Sequence, residues 1–243
     1  ELANLVDNLQ ANTDFAKSFH GFEVRPQQKA MMRAVANAFD SRQHLVVEGG
    51  TGVGKSMAYL VPSIVNAVTC GTRVVISTNT INLQEQLLNN DIPSITKALE
   101  DANIIPRGIL RSAPLKGKTN YLCVRRWQQT VRSENISADD VRVIGKTLNW
   151  IHETATGDKS EINLSGRDII TWNRISAGDK GQCPGLKGSS PCFLKSARNA
   201  AEGAHIVVVN HALLLADLVL GGGLLPEYDH LVIDEAHHLE EQS

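Results

Sequence analysis

Aromatic side chains are scarce, at 5% of 243 residues, and no apolar run approaches the ~18–20 residues a helix needs to cross a bilayer. The first residues do not have the pattern of a secretory signal. Both absences speak against a membrane protein and make a cytoplasmic setting the expectation. Excess charge is absent too. With 24 Lys and Arg against 26 Asp and Glu, the formal net charge is −2. That excludes a globally basic nucleic-acid binder and confines any anion-binding surface to a local patch. Cysteine is sparse, with only Cys70, Cys123, Cys183 and Cys192 present. In a cytosolic chain of this size they do not make a disulfide framework, so they are either inert core residues or ligands of a metal or cluster. What is present, 42% hydrophobic and 21% charged residues, suits a packed globular fold of one large or two modest domains.

Two short runs carry the chemistry. Residues 49–56 read Gly49, Gly50, Thr51, Gly52, Val53, Gly54, Lys55, Ser56, the pattern G-x-x-x-x-G-K-[ST]. Residues 44–48 before it (His-Leu-Val-Val-Glu) read as a short buried strand, and residues 54–68 after it as a helix kinked at Pro62. Strand, glycine turn and helix are the setting in which such a loop cradles phosphate. Backbone N–H groups of Gly52 to Ser56 can point at a β-phosphate, helped by the helix dipole, and side chains in place of the glycines would block that approach. Lys55 reaches the β- and γ-phosphates, and the Ser56 hydroxyl ligates Mg²⁺.

The second run is Asp234, Glu235, Ala236, His237. Asp234 ends an apolar strand at residues 230–233, so its carboxylate emerges at the carboxyl edge of a sheet, where ligands bind in open α/β folds. There it can hold Mg²⁺ through water. Glu235 faces a different direction and is the candidate to orient and deprotonate the attacking water. His237 can couple the state of the γ-phosphate to the rest of the protein, whereas His238 reads as surface. Upstream, Gln28 can read an adenine edge and Arg25 can stack on it or bond to it. The two runs define an ATP- and Mg²⁺-binding hydrolytic site, with Lys55, Asp234, Glu235 and His237 as its catalytic candidates.

Further buried strands are expected at residues 73–77, 107–110 and 205–209. Helices are expected at 27–39, 81–88 and 212–220, with a weaker helical pattern in residues 1–20. Short apolar strands alternating with helices imply an α/β fold, a mainly parallel sheet with helices on both faces. From about Ser112 to Ala201 that rhythm fails, and the stretch reads as a mostly helical insert. Between Ala102 and Ser133 stand Arg107, Arg111, Lys116, Lys118, Arg125, Arg126 and Arg132 with no Asp or Glu, and Tyr121 and Trp127 are interleaved. A groove that binds phosphates and stacks bases has this make-up. A solvated basic face is the alternative.

The run Arg25-Pro26-Gln27-Gln28, residues 48–56, Ser77-Thr78-Asn79-Thr80 and Leu83-Gln84-Glu85-Gln86-Leu87 resemble the opening motifs of superfamily 2 DNA helicases. A narrower likeness, to the DinG branch of the XPD/DinG helicases, rests on residues 116–123 (Lys-Gly-Lys-Thr-Asn-Tyr-Leu-Cys), Cys192-Phe193, Ala197-Arg198, residues 209–214 (Val-Asn-His-Ala-Leu-Leu) and residues 234–237. Together the matches cover about residues 20–240. The resemblance implies a RecA-like first motor domain, ATP-driven translocation with 5′→3′ polarity, and single-stranded or forked DNA as the partner. It places Thr78, Asn79 and Thr80 in a motif that grips the DNA backbone, and Asn210 and His211 in a stretch lining the DNA side. With Lys116, Lys118, Tyr121, Arg125 and Arg126 they make up the candidate DNA contacts. The family's insert holds a [4Fe–4S] cluster on four cysteines. Here Cys123, Cys183 and Cys192 match, and no cysteine stands between Pro184 and Pro191. Three readings stay open: a cluster with a non-cysteine fourth ligand, a metal-free insert with small core cysteines, or zinc with a histidine ligand.

The expected organisation is an N-terminal helix or linker at 1–20, the first part of a RecA-like domain at 21–111, the cysteine-bearing insert at 112–201, and the continued RecA-like domain at 202–243. A second RecA-like domain, which supplies a transition-state arginine, is expected in the full-length protein. This chain is therefore read as an ATP half-site that hydrolyses slowly alone. Two other functions remain in play: a non-catalytic single-stranded nucleic-acid-binding fragment, and a P-loop ATPase acting on another substrate.

Overall fold

The computed structural model describes residues 2–11, 25–50, 52–178 and 192–240. It divides into two compact units, residues 1–114 with 201–243, and residues 115–200.

The first unit is built on four parallel strands, β1 (Val74–Thr78), β2 (Ser112–Pro114), β3 (Ile206–Asn210) and β4 (His230–Ile233), in the order β2-β3-β1-β4. β1 is buried at every position, as its unbroken Val-Val-Ile core demands of a strand covered on both faces. Its register sets Ser77 against Val209 and Ile233, and Thr78 against Asn210. The carboxyl ends of β1, β3 and β4 thus lie side by side.

Helices α1 (Leu2–Ala11), α2 (Pro26–Ser41) and α3 (Lys55–Cys70) pack around a core that includes Val6, Leu9, Met32, Ala36, Leu60, Ile64 and Ile76. Pro26 stands at the start of α2, where its missing N–H costs nothing. α3 runs unbroken through Pro62 and is buried from Ala58 to Ala67. It ends at Gly71, whose φ of +66° suits a glycine stop. α4 (Ile81–Gln86) continues through a π-helical turn at Leu87–Asp91 into α5 (Ile92–Asp101).

Two strand expectations fail. Residues 44–48 belong to no strand, and Val46 is 98% exposed. The run is apolar in composition, but a strand also needs a partner. In the observed order β4 ends the sheet, with β1 as its neighbour. The third strand forms at Ser112–Pro114 and not at 107–110, where Gly108 turns the chain with a φ of +69°.

The second unit contains α6 (Val124–Val131), α7 (Ala138–Glu153), α8 (Asp168–Ile175) and most of α9 (Phe193–Glu202). Its core is Leu122, Val143, Trp172 and Ile175, with Trp127 and Trp150 against them. A capping box starts α7, with the Ser137 hydroxyl accepting from the Asp140 N–H and the Asp140 carboxylate accepting from the Ser137 N–H, both at 3.1 Å. All three tryptophans of the chain pack in this core.

Candidate nucleotide site and neighbouring surface

The glycine loop leads directly into α3, whose first residues are Lys55 and Ser56. Gly52 and Gly54 have φ of +79° and +82°, a region where only glycine is unstrained. Gly54 is needed twice over, because a Cβ there would lie 2.0 Å from Gln28 Nε2. Thr51 lies outside the described residues. Gln28 is buried and donates to the Gly54 carbonyl at 3.1 Å, and Arg25 donates to the Gly52 carbonyl. The structure therefore ties both residues to the loop backbone, where they shape it.

The second run closes onto this loop. The Lys55 ammonium lies 2.9 Å from Glu235 Oε1 and donates to the Gly49 carbonyl at 3.3 Å. The Lys55 hydrogen bond holds the Glu235 carboxyl below its ordinary range. Glu235 has φ +53°, a left-handed conformation uncommon outside glycine. His237 is exposed, with Nε2 3.5 Å from Glu235 Oε2.

Asp234 behaves differently. Burial pushes its carboxyl up, the neighbouring Glu235 charge adds to this, and a hydrogen bond from the Tyr59 hydroxyl at 3.1 Å opposes it. Tyr59 itself is pushed well up by burial and by Asp234. Asp91, at the end of the π-helical turn, is also pushed up by burial and by Asp234. Half-buried carboxyls that resist ionising are a setting a divalent cation relieves, and the oxygen donors Asp234 and Ser56 fit Mg²⁺. Sequence reasoning missed Tyr59 and Asp91. Tyr59 was findable, since it lies three and four residues beyond Ser56 and Lys55 on one helix. A π-helical turn has no comparable sequence signature.

The candidate DNA residues divide. Asn79 is half-buried and Thr80 exposed, and the Thr80 hydroxyl caps α4 by accepting from the Leu83 N–H at 3.2 Å. Thr78 is buried and its hydroxyl donates to the Thr80 carbonyl at 3.1 Å. Asn210 caps α10 (His211–Val219), accepting from the Leu213 N–H at 3.0 Å. His211 is 0% exposed, so its ring offers no surface to DNA.

In the second unit Lys116 is 5% exposed, with Nζ 2.7 Å from Asp158 Oδ2. Tyr121 is 2% exposed, its hydroxyl accepts from the Lys116 N–H at 3.0 Å, and burial pushes it up to about 12. Both are core residues, which corrects their reading as phosphate and base contacts. Trp127 likewise packs inward, donating to the Thr147 hydroxyl at 2.7 Å. Arg126 is half-buried and donates to the Ser176 carbonyl at 2.6 Å. Arg125 is exposed and Lys118 half-buried. Lone charges and aromatics in a motif look alike whether they face solvent or core, and only the fold separates them.

Cys123 and Cys192 are half-buried free thiols, and Cys183 lies outside the described residues. Cys123 and Cys192 supply two of the four thiolates that an iron–sulfur cluster normally takes. Among the described residues no helix is long and apolar enough to cross a membrane.

Comparison with known proteins agrees with this geometry. The DEAD/DEAH box helicase family model matches residues 25–105. An ATP-dependent helicase DinG from Mycobacterium tuberculosis is 39% identical over 235 residues, covering 90% of this chain and 35% of that protein. A protein from Bacillus subtilis named 3'-5' exonuclease DinG is 35% identical over 237 residues, covering 97% and 25%. The ATP-dependent DNA helicase YoaA from Escherichia coli is 35% identical over 244 residues, covering 97% and 36%. Residues 25–105 thus match the DEAD/DEAH box helicase family, and the parallel sheet has RecA-like α/β form. Over 90–97% of its length the chain is similar to DinG-type helicases, and it spans about a quarter to a third of the length of these relatives.

Proposed function

We propose that this chain forms the ATP-binding half-site of a DinG-type DNA helicase, moving on single-stranded or forked DNA with the 5′→3′ polarity the motif resemblance implies. The observation that carries the reading is the meeting of Lys55 and Glu235 at 2.9 Å, with Asp234 one residue away. The glycine loop and the α3 N-terminus present backbone N–H groups to phosphate. A phosphate drawn to Lys55 competes with Glu235 for that ammonium, and Glu235 released from it is free to orient a water. Bound at Ser56 and Asp234, Mg²⁺ would neutralise charge on the phosphates. Exposed Thr80 and half-buried Asn79 support a DNA-backbone contact at the carboxyl edge of the sheet, and exposed Arg125 supports a further one on the insert. A second motor domain supplying an arginine, and a cytoplasmic setting, belong to the same reading.

The test is unwinding by the full-length protein. Lys55→Ala should abolish ATP-driven unwinding while single-stranded DNA binding persists. Unwinding that survives the substitution would refute the motor. A wild-type protein that binds DNA but neither hydrolyses ATP nor unwinds would favour a binding module.

A further inference from the structure

Three segments converge on Ser77. Its carbonyl accepts the Asp234 N–H at 2.9 Å, and its hydroxyl lies 2.7 Å from His211 Nδ1. Thr78 follows it directly, and the Thr78 hydroxyl closes the next turn onto the Thr80 carbonyl. The imidazole of His211 is wholly enclosed, and its buried Nε2 makes no well-formed hydrogen bond. The ring lies against the backbone of Asp234 and Glu235.

This is a costly choice for a core position. An unsatisfied buried polar nitrogen costs about 1–3 kcal/mol, and an apolar side chain would fill the space without that penalty. The turn above the ring is itself strained, with Glu235 at φ +53°. Strain and a poorly satisfied polar atom placed together at a reacting centre call for a functional reading.

We propose that His211 is a positioning residue that couples the turn after β1 to the catalytic turn after β4. Its Nδ1 edge is anchored to Ser77, and its Nε2 edge backs the main chain that carries Asp234 and Glu235. A shift of residues 78–80 on engaging a DNA backbone passes through Ser77 and the imidazole to Glu235, so hydrolysis responds to DNA. The inference rests on the helicase reading above, and it adds a route by which the DNA-facing turn acts on the water-orienting acid.

The experiment uses the full-length protein with His211→Asn, whose amide can replace Nδ1, and His211→Gln, whose amide can replace Nε2. The readout is the ratio of DNA-stimulated to DNA-free ATP turnover. Melting temperature and the affinities for an ATP analogue and a single-stranded oligonucleotide are measured alongside. Coupling between sites typically amounts to about 5–150-fold. Each variant should therefore lose at least about fivefold of the stimulation ratio through kcat, with KM for ATP and both affinities within about threefold of wild type. Ser77→Ala should lose a similar factor, and the Ser77→Ala/His211→Asn pair no more than either alone. Full stimulation in either His211 variant would overturn the proposal. So would a loss that merely tracks weaker binding or a lower melting temperature. A wild-type protein whose turnover ignores DNA would remove the helicase reading itself, and is distinguishable because it needs no variant.

Discussion

Replacing Lys116 with Ala separates a core residue from a DNA contact. The Lys116 ammonium lies 2.7 Å from Asp158 Oδ2 and 3.2 Å from Ser160 Oγ, and the side chain is 5% exposed. Removing one partner of a buried ion pair costs about 3–5 kcal/mol, because the other charge loses its compensation. Asp158 keeps the Ser160 N–H at 2.9 Å and is 12% exposed, which places the expected loss at the lower end, about 3 kcal/mol. In a chain of this length each kcal/mol moves Tm by about 2–4 °C, so the melt should fall by about 6–12 °C. A lysine bonded to a DNA phosphate behaves otherwise. Its loss leaves Tm within about 2 °C and flattens the log–log salt dependence of single-strand binding by about 0.7. Thermal unfolding and a salt titration of oligonucleotide binding read both quantities. An unchanged melt with a flattened salt slope would refute the buried assignment. Lys116→Met paired with Asp158→Leu should recover most of the lost stability, since apolar replacement of both charges is often neutral or better.

Three further outcomes are expected. Gly54→Ala should abolish nucleotide binding, because the φ of +82° and the 2.0 Å approach to Gln28 Nε2 cannot both be relieved; isothermal titration with an ATP analogue showing wild-type affinity would contradict this. Tyr59→Phe removes the hydrogen bond to Asp234, worth about 1 kcal/mol, so the Mg²⁺ midpoint of ATP turnover should rise about fivefold, and an unmoved midpoint counts against a cation at Asp234. Burial alone would raise the Asp140 carboxyl, but bonds from Ser137, Thr171 and Arg174 outweigh it and hold it at about 2. Its stabilisation is then fully present above the unfolded value of about 3.9 and lost as pH falls through the folded value. Circular dichroism between pH 5 and pH 2, in roughly that window, should show acid unfolding that Asp140→Asn blunts, and identical profiles would speak against it.

What could be read from sequence follows the physics of each signal. The glycine loop, the acids of residues 234–237 and the strands at 74–78, 206–210 and 230–233 were legible because backbone geometry and a buried sheet restrict residue type directly. Residues 44–48 carry the same apolar signal and yet stay unpaired, since composition does not report whether a neighbouring strand is there. Side-chain direction was the weaker inference. Thr78, Lys116, Tyr121 and His211 were the right chemical types for DNA, but the fold turns them inward. Asp91 joined the acidic neighbourhood of Asp234 through a π-helical turn, which no periodicity announces.

The most direct measurement pairs equilibrium ATP binding with hydrolysis in the full-length protein, comparing wild type, Lys55→Ala and Glu235→Gln. If Lys55 holds the phosphates and Glu235 orients the water, Lys55→Ala loses Mg²⁺-dependent ATP binding. Glu235→Gln then keeps binding and loses at least about a hundredfold in DNA-stimulated turnover, as general-base catalysis requires. Hydrolysis undiminished in Glu235→Gln, or ATP binding intact in Lys55→Ala, would contradict the assignment of this site.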